Sequence, residues 1–362
     1  MLFQMVNIVK EEQPDVFLLC GDIFHTPQPS PDDQTMLTEA INEIHLACKH
    51  MVIVAIAGNH DSGKRHEIFR TPWQTLNVNM IGQIEKNNLD KHIIRVADKG
   101  FVIAVPFYGA RDITREFYQQ LLGKVAAMNE QNLPVVVMAH TTVSGCDFMG
   151  HDQIVDEIVG GIETIDLSEF GEGYDYLALG HIHREQWVKG SENRVRYCGA
   201  PIPVSFDEKY SHSISLVDIE KHGATPVVTK RTIENCHELV TLPTEGFAPW
   251  DEVKELLRSF PKDNPAYIRL NVEIDDFLPQ DAQMEVARLT EDKACRYCFT
   301  NVKRRTKRRA EDRSLTIQEF QVANPIDIVK RYAEDKEVPF DDDLQALFNE
   351  ALAMVKKDER DN

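Results

Sequence analysis

The sequence predicts a layered α/β protein that carries a second, smaller α+β domain and ends in helices. Up to about residue 220, short apolar runs alternate with segments of helical periodicity, a pattern typical of helices packed on a sheet. Several of these apolar runs stop at a glycine or at a cluster of polar residues. Beyond residue 250 the helix and strand patterns continue in a shorter block, which indicates a separate and smaller unit.

The first predicted strand is Val16–Cys20, which stops immediately before Gly21. Helical periodicity then covers Pro31–His50, and the next apolar strand is Met51–Ile56. The remaining strands of this block are predicted at Phe101–Pro106, Val135–Met138 and Tyr176–Leu179, and its remaining helices at Arg111–Met128 and His151–Ile158.

A stretch with two prolines and a glycine, Leu239–Trp250, is the most linker-like part of the sequence. We therefore predict three domains, with boundaries at 1–235, 236–320 and 321–362. The later elements are predicted at Trp250–Phe260 (helix), Tyr267–Ile274 (strand), Asp281–Leu289 (helix), Tyr297–Val302 (strand), Ile326–Ala333 (helix) and Asp343–Val355 (helix).

Composition restricts the class of protein. The chain has 362 residues, of which 42% are hydrophobic, and no apolar run approaches the roughly 18 residues that a membrane helix needs. The segment Met1–Glu12 lacks the features of a signal peptide, and seven scattered cysteines do not form a disulfide framework. We therefore expect a cytoplasmic protein without a membrane partner. The net charge of −19 argues against holding nucleic acid by bulk charge, although metal ions, a local basic patch or a partner would supply a positive field.

Four polar clusters follow predicted strands: Gly21-Asp22, the segment 58–61 (Gly-Asn-His-Asp), His140 and the segment 180–183 (Gly-His-Ile-His). Ligand sites of α/β sheets gather at the carboxyl ends of strands, so these clusters should converge. A carboxylate, an amide oxygen and several imidazoles suit hard-to-borderline divalent metals. Because His181 and His183 are two residues apart in an extended segment, both can face one site.

This order of motifs closely resembles the calcineurin-like metallophosphoesterases, whose motifs run GD, GNH(D/E), H and GHxH. The resemblance implies a metallophosphoesterase β-sandwich flanked by helices. It also implies that Asp22 bridges two divalent ions and that His60 steadies the phosphate or protonates the leaving oxygen. The other implied metal ligands are Asn59, His140, His181 and His183. Two ions about 4 Å apart can hold a hydroxide and stabilise both oxygens of an in-line displacement at phosphorus.

Three segments, 21–26, 176–183 and 196–208, resemble the SbcD nuclease family more narrowly. This resemblance implies manganese as the metal, DNA as the substrate, and 3′-to-5′ exonuclease and hairpin-opening endonuclease activities. It implies the SbcC ATPase as a partner, with a homodimer of this chain inside a heterotetramer. The middle domain would be a capping domain, and the C-terminal helices would lie towards SbcC.

One motif of the family has no counterpart at its usual place. The family begins with a strand that ends in Asp-x-His, whereas here 20 residues precede Gly21 and Met1–Val9 has the pattern of the following helix. The segment Asp90-Lys91-His92 precedes a strand, so the first-motif roles are not assigned to it. We therefore expect a chain truncated at its amino end, with one well-formed metal site and a poorer second one.

Two other functions stay open from the sequence: a general metallophosphoesterase acting on nucleotides or small phosphodiesters, and a non-catalytic protein that only binds SbcC. The basic run Lys303–Arg309 is either a solvated face or a contact to DNA or an acidic partner. The pair Cys295 and Cys298 has no second pair nearby, which favours strand packing over zinc. We expect His25 to support the site and not to bind metal.

Overall fold

The computed structural model describes residues 1–68, 70–108, 115–147 and 164–305, together with 326, 329–330, 344–345 and 348. The chain divides into two compact units, Met1–Lys303 and Arg304–Asn362, and the first contains the candidate site. Within the described residues, no helix is long and apolar enough to cross a membrane.

A three-stranded parallel sheet forms the first layer. Its strands, in spatial order, are β1 (Val16–Cys20), β2 (Val52–Ile56) and β3 (Val78–Ile81). The helices that accompany it are α1 (Leu2–Glu12), α2 (Pro31–Ala47), α3 (Gly63–His66) and α4 (Arg70–Gln74). Helix α2 begins at a capping box, because the Ser30 hydroxyl accepts from the Asp33 amide while the Asp33 carboxylate accepts from the Ser30 amide.

A six-stranded sheet forms the second layer. Its strands are β4 (Ile93–Val96), β5 (Gly100–Val105), β6 (Val135–His140), β7 (Tyr176–Gly180), β8 (Gln186–Trp187) and β9 (Val195–Tyr197). Their spatial order is β4-β5-β6-β7-β9-β8, with the four central strands parallel and both edge strands antiparallel to their neighbours. Helix α5 (Arg115–Met128) buries Tyr118, Leu121 and Val125 in a core shared with this sheet.

The two sheets enclose an apolar layer that contains Ile56, Ile81, Val102 and Met138, all at most 2% exposed. Separate cores lie between the first sheet and helices α1 and α2, and between the second sheet and α5. Burial of apolar side chains on both faces explains why the strands have nearly continuous hydrophobic sequences. The predicted fold class, a β-sandwich flanked by helices, is confirmed.

An antiparallel hairpin, β10 (Ser213–Asp218) and β11 (Val227–Thr232), leads to a smaller sheet. We call the latter the small sheet; it consists of β12 (Leu239–Leu242), β13 (Ala248–Pro249), β14 (Tyr267–Ile274) and β15 (Arg296–Arg304). It carries helices α6 (Trp250–Ser259) and α7 (Ala282–Thr290). Its own core includes Val253, Leu257, Ile268 and Val272, which are all fully buried.

Cys295 is buried in the core of the small sheet, whereas Cys298 is exposed. Cys298 lies three residues further along, within β15, and its exposure means that core packing accounts for Cys295 alone. Several predictions lie outside the described residues: the helix at 151–158, residues 306–309 of the basic run, and nearly all of the two helices predicted at 326–333 and 343–355.

Candidate metal centre

The four polar clusters lie where β1, β2, β6 and β7 end. Three of them each bring one potential metal ligand to a common point. Potential ligand atoms of Asp22, His140 and His181 all lie within 4.8 Å of one another. Asp22 is two residues past β1, His140 is the last residue of β6, and His181 follows β7 directly. The first sheet therefore contributes one side chain to this cluster, and the second sheet contributes two.

Three glycines allow the backbones of these loops to approach one another. A Cβ atom at Gly21 would lie 2.2 Å from His140 Nδ1, and one at Gly58 would lie 2.1 Å from Asp22 Oδ1. At Gly180 a Cβ atom would lie 1.8 Å from the Cys20 carbonyl oxygen. Any larger residue would displace a side chain of the cluster or the strand that supports it.

Two members of the cluster have an uncommon backbone conformation. Asp22 has a φ of 50° and His181 a φ of 95°, in the region that glycine ordinarily occupies. Such conformations cost on the order of 1–3 kcal/mol each and concentrate at functional sites. Their presence at two neighbouring candidate ligands indicates that the loops are shaped for a role other than chain reversal.

His140 is fully buried, and its hydrogen bonds define its tautomer. Its Nδ1 lies 2.7 Å from the Cys20 carbonyl oxygen, so Nδ1 carries the proton and donates it. Its Nε2 faces two oxygen atoms, Asp22 Oδ2 at 3.1 Å and Asn59 Oδ1 at 3.0 Å. Either a proton on Nε2 or a metal ion between the three atoms satisfies this arrangement, so the atoms that hydrogen-bond here are also placed to bind a cation.

Asn59 completes the donor set. Its Oδ1 lies 3.0 Å from His140 Nε2 and 3.0 Å from His181 Nδ1. One carboxylate, one amide oxygen and two imidazole nitrogens form a mixed oxygen and nitrogen set that fits a borderline divalent ion such as Mn²⁺ or Zn²⁺. The residues present therefore fit a metal at this position.

Asp22 is ionised at neutral pH. Burial raises the pKa of its carboxyl group, but the hydrogen bond and charge of His140 and the His60 backbone N–H, 2.9 Å from Oδ1, outweigh burial. Together they lower the pKa to about 2. The carboxylate is thus ready to bind a cation without first losing a proton.

Asp61 holds two of the loops together, a role that the motif analysis did not assign to it. Its Oδ2 accepts from the amides of Gly58 at 2.8 Å and Ile23 at 3.2 Å, and its Oδ1 accepts from the Phe24 amide at 3.0 Å. It therefore ties the loop after β1 to the loop after β2. The only signal in the sequence is its place directly after Gly-Asn-His.

His60, the predicted catalytic residue, lies beside the cluster with an exposed ring. Its Nδ1 is 3.1 Å from the His25 carbonyl oxygen, so Nδ1–H donates and Nε2 is the ring atom that can meet a substrate. The His25 ring lies nearly parallel to it, at an angle of 16° and a centroid distance of 5.7 Å. His25 thus contacts His60, which is consistent with a supporting role.

His183, the fifth predicted ligand, is not in the group of three formed by Asp22, His140 and His181. Its Nδ1 donates to Glu208 Oε1 at 2.8 Å, and the side chain of Glu208 is completely buried. A carboxylate bonded to one imidazole nitrogen orients the other nitrogen and increases its basicity, an arrangement typical of metal-binding histidines. Sequence reasoning did not single out Glu208, because nothing in the local sequence links residue 208 to residue 183.

His92 lies outside the candidate metal centre. His92, in the Asp-x-His segment excluded above, donates through Nδ1 to the Ala104 carbonyl at 2.8 Å and accepts at Nε2 from the Glu85 amide at 3.0 Å. Both ring nitrogens of His92 are hydrogen-bonded to backbone groups, so it is a structural residue.

Phe107 is 43% exposed and packs edge-on against His140 at a centroid distance of 6.1 Å.

A divalent ion bound to this cluster would lower the pKa of a bound water and polarise a phosphoryl oxygen. The exposed ring of His60 beside it can give or take a proton. The arrangement is therefore suited to hydrolysis of a phosphate ester.

Comparison with known proteins agrees with this geometry. Residues 2–185 match the family described as calcineurin-like phosphoesterase, and this range contains all six predicted site residues. The chain is similar to SbcD of the SbcCD nuclease from Rhodobacter capsulatus, with 29% identity over 283 residues that cover 70% of this chain and 67% of the relative. It is also similar to SbcD of the SbcCD nuclease from Escherichia coli K12, with 24% identity over 389 aligned positions, 98% of this chain and 87% of the relative.

Proposed function

This chain belongs to the calcineurin-like phosphoesterase family, and we propose that it is the metal-dependent DNA nuclease component of an SbcCD complex. The observation that carries the proposal is the convergence of potential ligand atoms of Asp22, Asn59 and His140, in the family's order of motifs, beside the ring of His60. Similarity to SbcD along 98% of the chain supports the same conclusion.

We propose two divalent ions, both Mn²⁺, as the cofactors. Asp22, Asn59, His140 and His181 would hold one of them. His183, oriented by Glu208, would contribute to the other. The second site has fewer candidate ligands among the described residues, so we propose that it binds its ion more weakly.

In the proposed reaction a hydroxide attacks phosphorus, and the phosphorus–oxygen bond in line with it breaks. His60, as an imidazolium, gives its Nε2 proton to the departing oxygen and keeps its Nδ1–H bonded to the His25 carbonyl. The carboxylate of Asp22 is ionised throughout because of its low pKa. The bound metal ions would supply charge stabilisation for both oxygens of the displacement.

The proposed substrate is DNA, attacked 3′ to 5′ from double-stranded ends and endonucleolytically at hairpins. The SbcC ATPase is the proposed partner, in a cytoplasmic heterotetramer that contains two copies of this chain. The net charge of −19 supports a partner that helps to bind DNA, because an acidic chain would depend on the metals and on SbcC to bind phosphate groups. We further propose that residues 1–235 are the nuclease domain, 236–320 a capping domain and 321–362 the SbcC-docking segment.

The proposal is tested by a calorimetric Mn²⁺ titration of the purified chain, followed by assays on hairpin DNA, duplex ends and a small phosphodiester. We expect Mn²⁺ binding that Asp22→Asn weakens strongly, together with Mn²⁺-dependent cleavage of DNA that His60→Ala abolishes. Asp98→Asn, at an exposed carboxylate, serves as the matched control.

Two results would contradict the proposal. Cleavage of the small ester without cleavage of DNA, in the presence of SbcC, would indicate a general phosphoesterase. Absence of Mn²⁺ binding would indicate a protein that is non-catalytic as this chain stands.

A further inference from the structure

The loop between β9 and β10 carries two adjacent carboxylates that contact different parts of the molecule. Glu208 contacts His183 of the candidate metal centre, and Asp207 contacts the small sheet. Because the two residues are adjacent in one turn, a backbone shift at Asp207 also moves the backbone of Glu208. No step of the proposed reaction uses Asp207 or its contact with the small sheet.

The contact towards the metal centre is short and buried. Glu208 Oε1 accepts from His183 Nδ1 at 2.8 Å, and Oε2 accepts from the Val204 amide at 3.2 Å. The backbone makes a parallel connection, since the Ala200 amide donates to the His183 carbonyl at 2.8 Å. The orientation of the His183 ring therefore depends on this loop.

The contact towards the small sheet involves a cation between an anion and an aromatic ring. Arg269 of β14 donates through Nη1 to Asp207 Oδ1 at 3.0 Å, and its guanidinium lies 5.2 Å from the centroid of the Phe206 ring. Its Nε donates to Thr241 Oγ1 of β12 at 3.2 Å, and its side chain is only 12% exposed. Phe206 also packs edge-to-face on Phe299 of β15, at 5.7 Å and 88°. Three strands of the small sheet thus fix residues 206 and 207.

We propose that Arg269 is a positioning residue for His183 and acts through Asp207 and Glu208. The turn between the two contacts is held by its own hydrogen bonds, because the Glu208 amide donates to the Ser205 carbonyl at 3.2 Å and the Asp207 amide donates to Ser205 Oγ at 3.4 Å. A displacement of the small sheet relative to this loop therefore reaches the imidazole of His183. The inference rests on the proposed function, since it gives the small sheet influence over one of the proposed metal sites.

The alternative is that Arg269 only stabilises the packing of the small sheet. The tautomer of His183 separates the two possibilities, because a purely structural contact would change stability and leave this ring as it is. In the structure the carboxylate of Glu208 fixes the proton on Nδ1. Loss of this carboxylate removes the acceptor that favours the Nδ1–H tautomer.

The experiment measures the ring nitrogens of His183 by long-range ¹H–¹⁵N correlation in the metal-free, ¹⁵N-histidine-labelled full chain at pH 8, with His183→Gln for assignment. We expect the Nδ1–H tautomer in the unmodified chain, its loss in Glu208→Leu, which removes the acceptor, and a partial loss in Arg269→Ala. Arg258→Ala is the matched control, because it removes an exposed arginine–glutamate pair from helix α6 of the same region. We expect it to leave the tautomer unchanged.

Mn²⁺ affinity provides the second readout. Loss of a group that orients a metal ligand typically lowers affinity about tenfold to hundredfold. We expect Glu208→Leu to lie in that range and Arg269→Ala, acting one residue further away, to lower affinity about threefold to tenfold. Arg269→Lys should restore part of the loss, since it keeps the charge and loses the planar donor geometry.

An unchanged His183 tautomer in both Arg269→Ala and Asp207→Asn would overturn the inference. If Arg269→Ala does not fold, Asp207→Asn and Arg269→Lys decide the question. Should the unmodified chain bind no Mn²⁺, the proposed function fails, whereas the tautomer measurement still decides whether Arg269 positions His183.

Discussion

Replacement of Asp61 by asparagine is the most direct test of how the metal centre is built. The Asp61 carboxylate accepts three backbone N–H groups, from Gly58, Ile23 and Phe24, at 2.8, 3.2 and 3.0 Å. Asp61→Asn keeps the shape of the side chain and removes its charge and one of its two acceptor oxygens. It therefore disturbs the loops that carry Asp22 and Asn59 without altering any proposed ligand.

The expected loss of stability follows from these bonds. The asparagine oxygen can still accept from the two amides that Oδ2 served, but as a neutral acceptor, while its NH₂ group faces the Phe24 N–H. An unsatisfied buried donor costs about 1–3 kcal/mol, and hydrogen bonds to charged groups contribute about 1.5–3 kcal/mol each against about 1 for neutral ones. Because the site is partly exposed, we expect a decrease of about 3 kcal/mol in the free energy of unfolding.

Urea denaturation measures this change, and a Mn²⁺ titration on the same samples measures its effect on the site. We expect affinity to fall at least about tenfold, because Asp61 orients the loops of two proposed ligands. Asp166→Asn is the matched control, since Asp166 also accepts a backbone amide, at Ser168, but at an exposed turn. A loss below about 1 kcal/mol in Asp61→Asn, with unchanged Mn²⁺ affinity, would refute this account of the two loops.

Three further predictions concern the same cluster. Gly58→Ala places a Cβ atom 2.1 Å from Asp22 Oδ1 and should lower Mn²⁺ affinity at least about tenfold in calorimetry, whereas Gly123→Ala, with no atom within 4 Å, should not. The folded-state pKa of Asp22 is lowered to about 2, so its contribution to stability is full above the unfolded pKa of about 3.9 and disappears as pH falls towards 2. In Asp22→Asn, the stability of the metal-free chain should accordingly fall less steeply with decreasing pH over that range, as measured by circular dichroism. Identical acid-unfolding curves for the two proteins would contradict this prediction. Mn²⁺ at a hundred times its dissociation constant should stabilise the chain by about 2.7 kcal/mol, and EDTA should reverse the rise in thermal midpoint; a midpoint indifferent to both would exclude a folded-state metal site.

The sequence predicted the layers of this fold well because buried strands have a simple signature. Val16–Cys20 and Tyr176–Leu179 are apolar runs packed within the sandwich, and each ends at a glycine that the neighbouring loops require. The end of α2 was predicted less well. Periodicity extended it to His50, but it ends at Ala47, and the buried side chain of Cys48 packs instead with the core below the first sheet.

The supporting residues of the site were harder to predict than the proposed ligands. Asp22 and His140 stand next to strand ends, so their position along the chain indicates their role. Asp61 and Glu208 act through partners that only the folded loops bring near, 37 residues away for the Phe24 amide and 25 residues away for His183. A carboxylate that accepts backbone amides has no sequence pattern of its own, and tertiary structure alone reveals it.

Three of the five proposed ligands have one polar atom held by the protein and another presented to the site. His140 is held through Nδ1 by the Cys20 carbonyl and presents Nε2; Asp22 is held through Oδ1 by the His60 amide and presents Oδ2. His183 follows the same rule through Glu208. The first two supports are backbone groups, which a side-chain substitution does not remove, whereas Glu208 is a side chain whose neighbour Asp207 is bound by Arg269 of the small sheet. The small sheet therefore influences the metal centre mainly through His183. Variants that weaken the contact between Glu208 and His183 should lower the affinity of the metal site that His183 serves, while the cluster around His140 keeps its affinity.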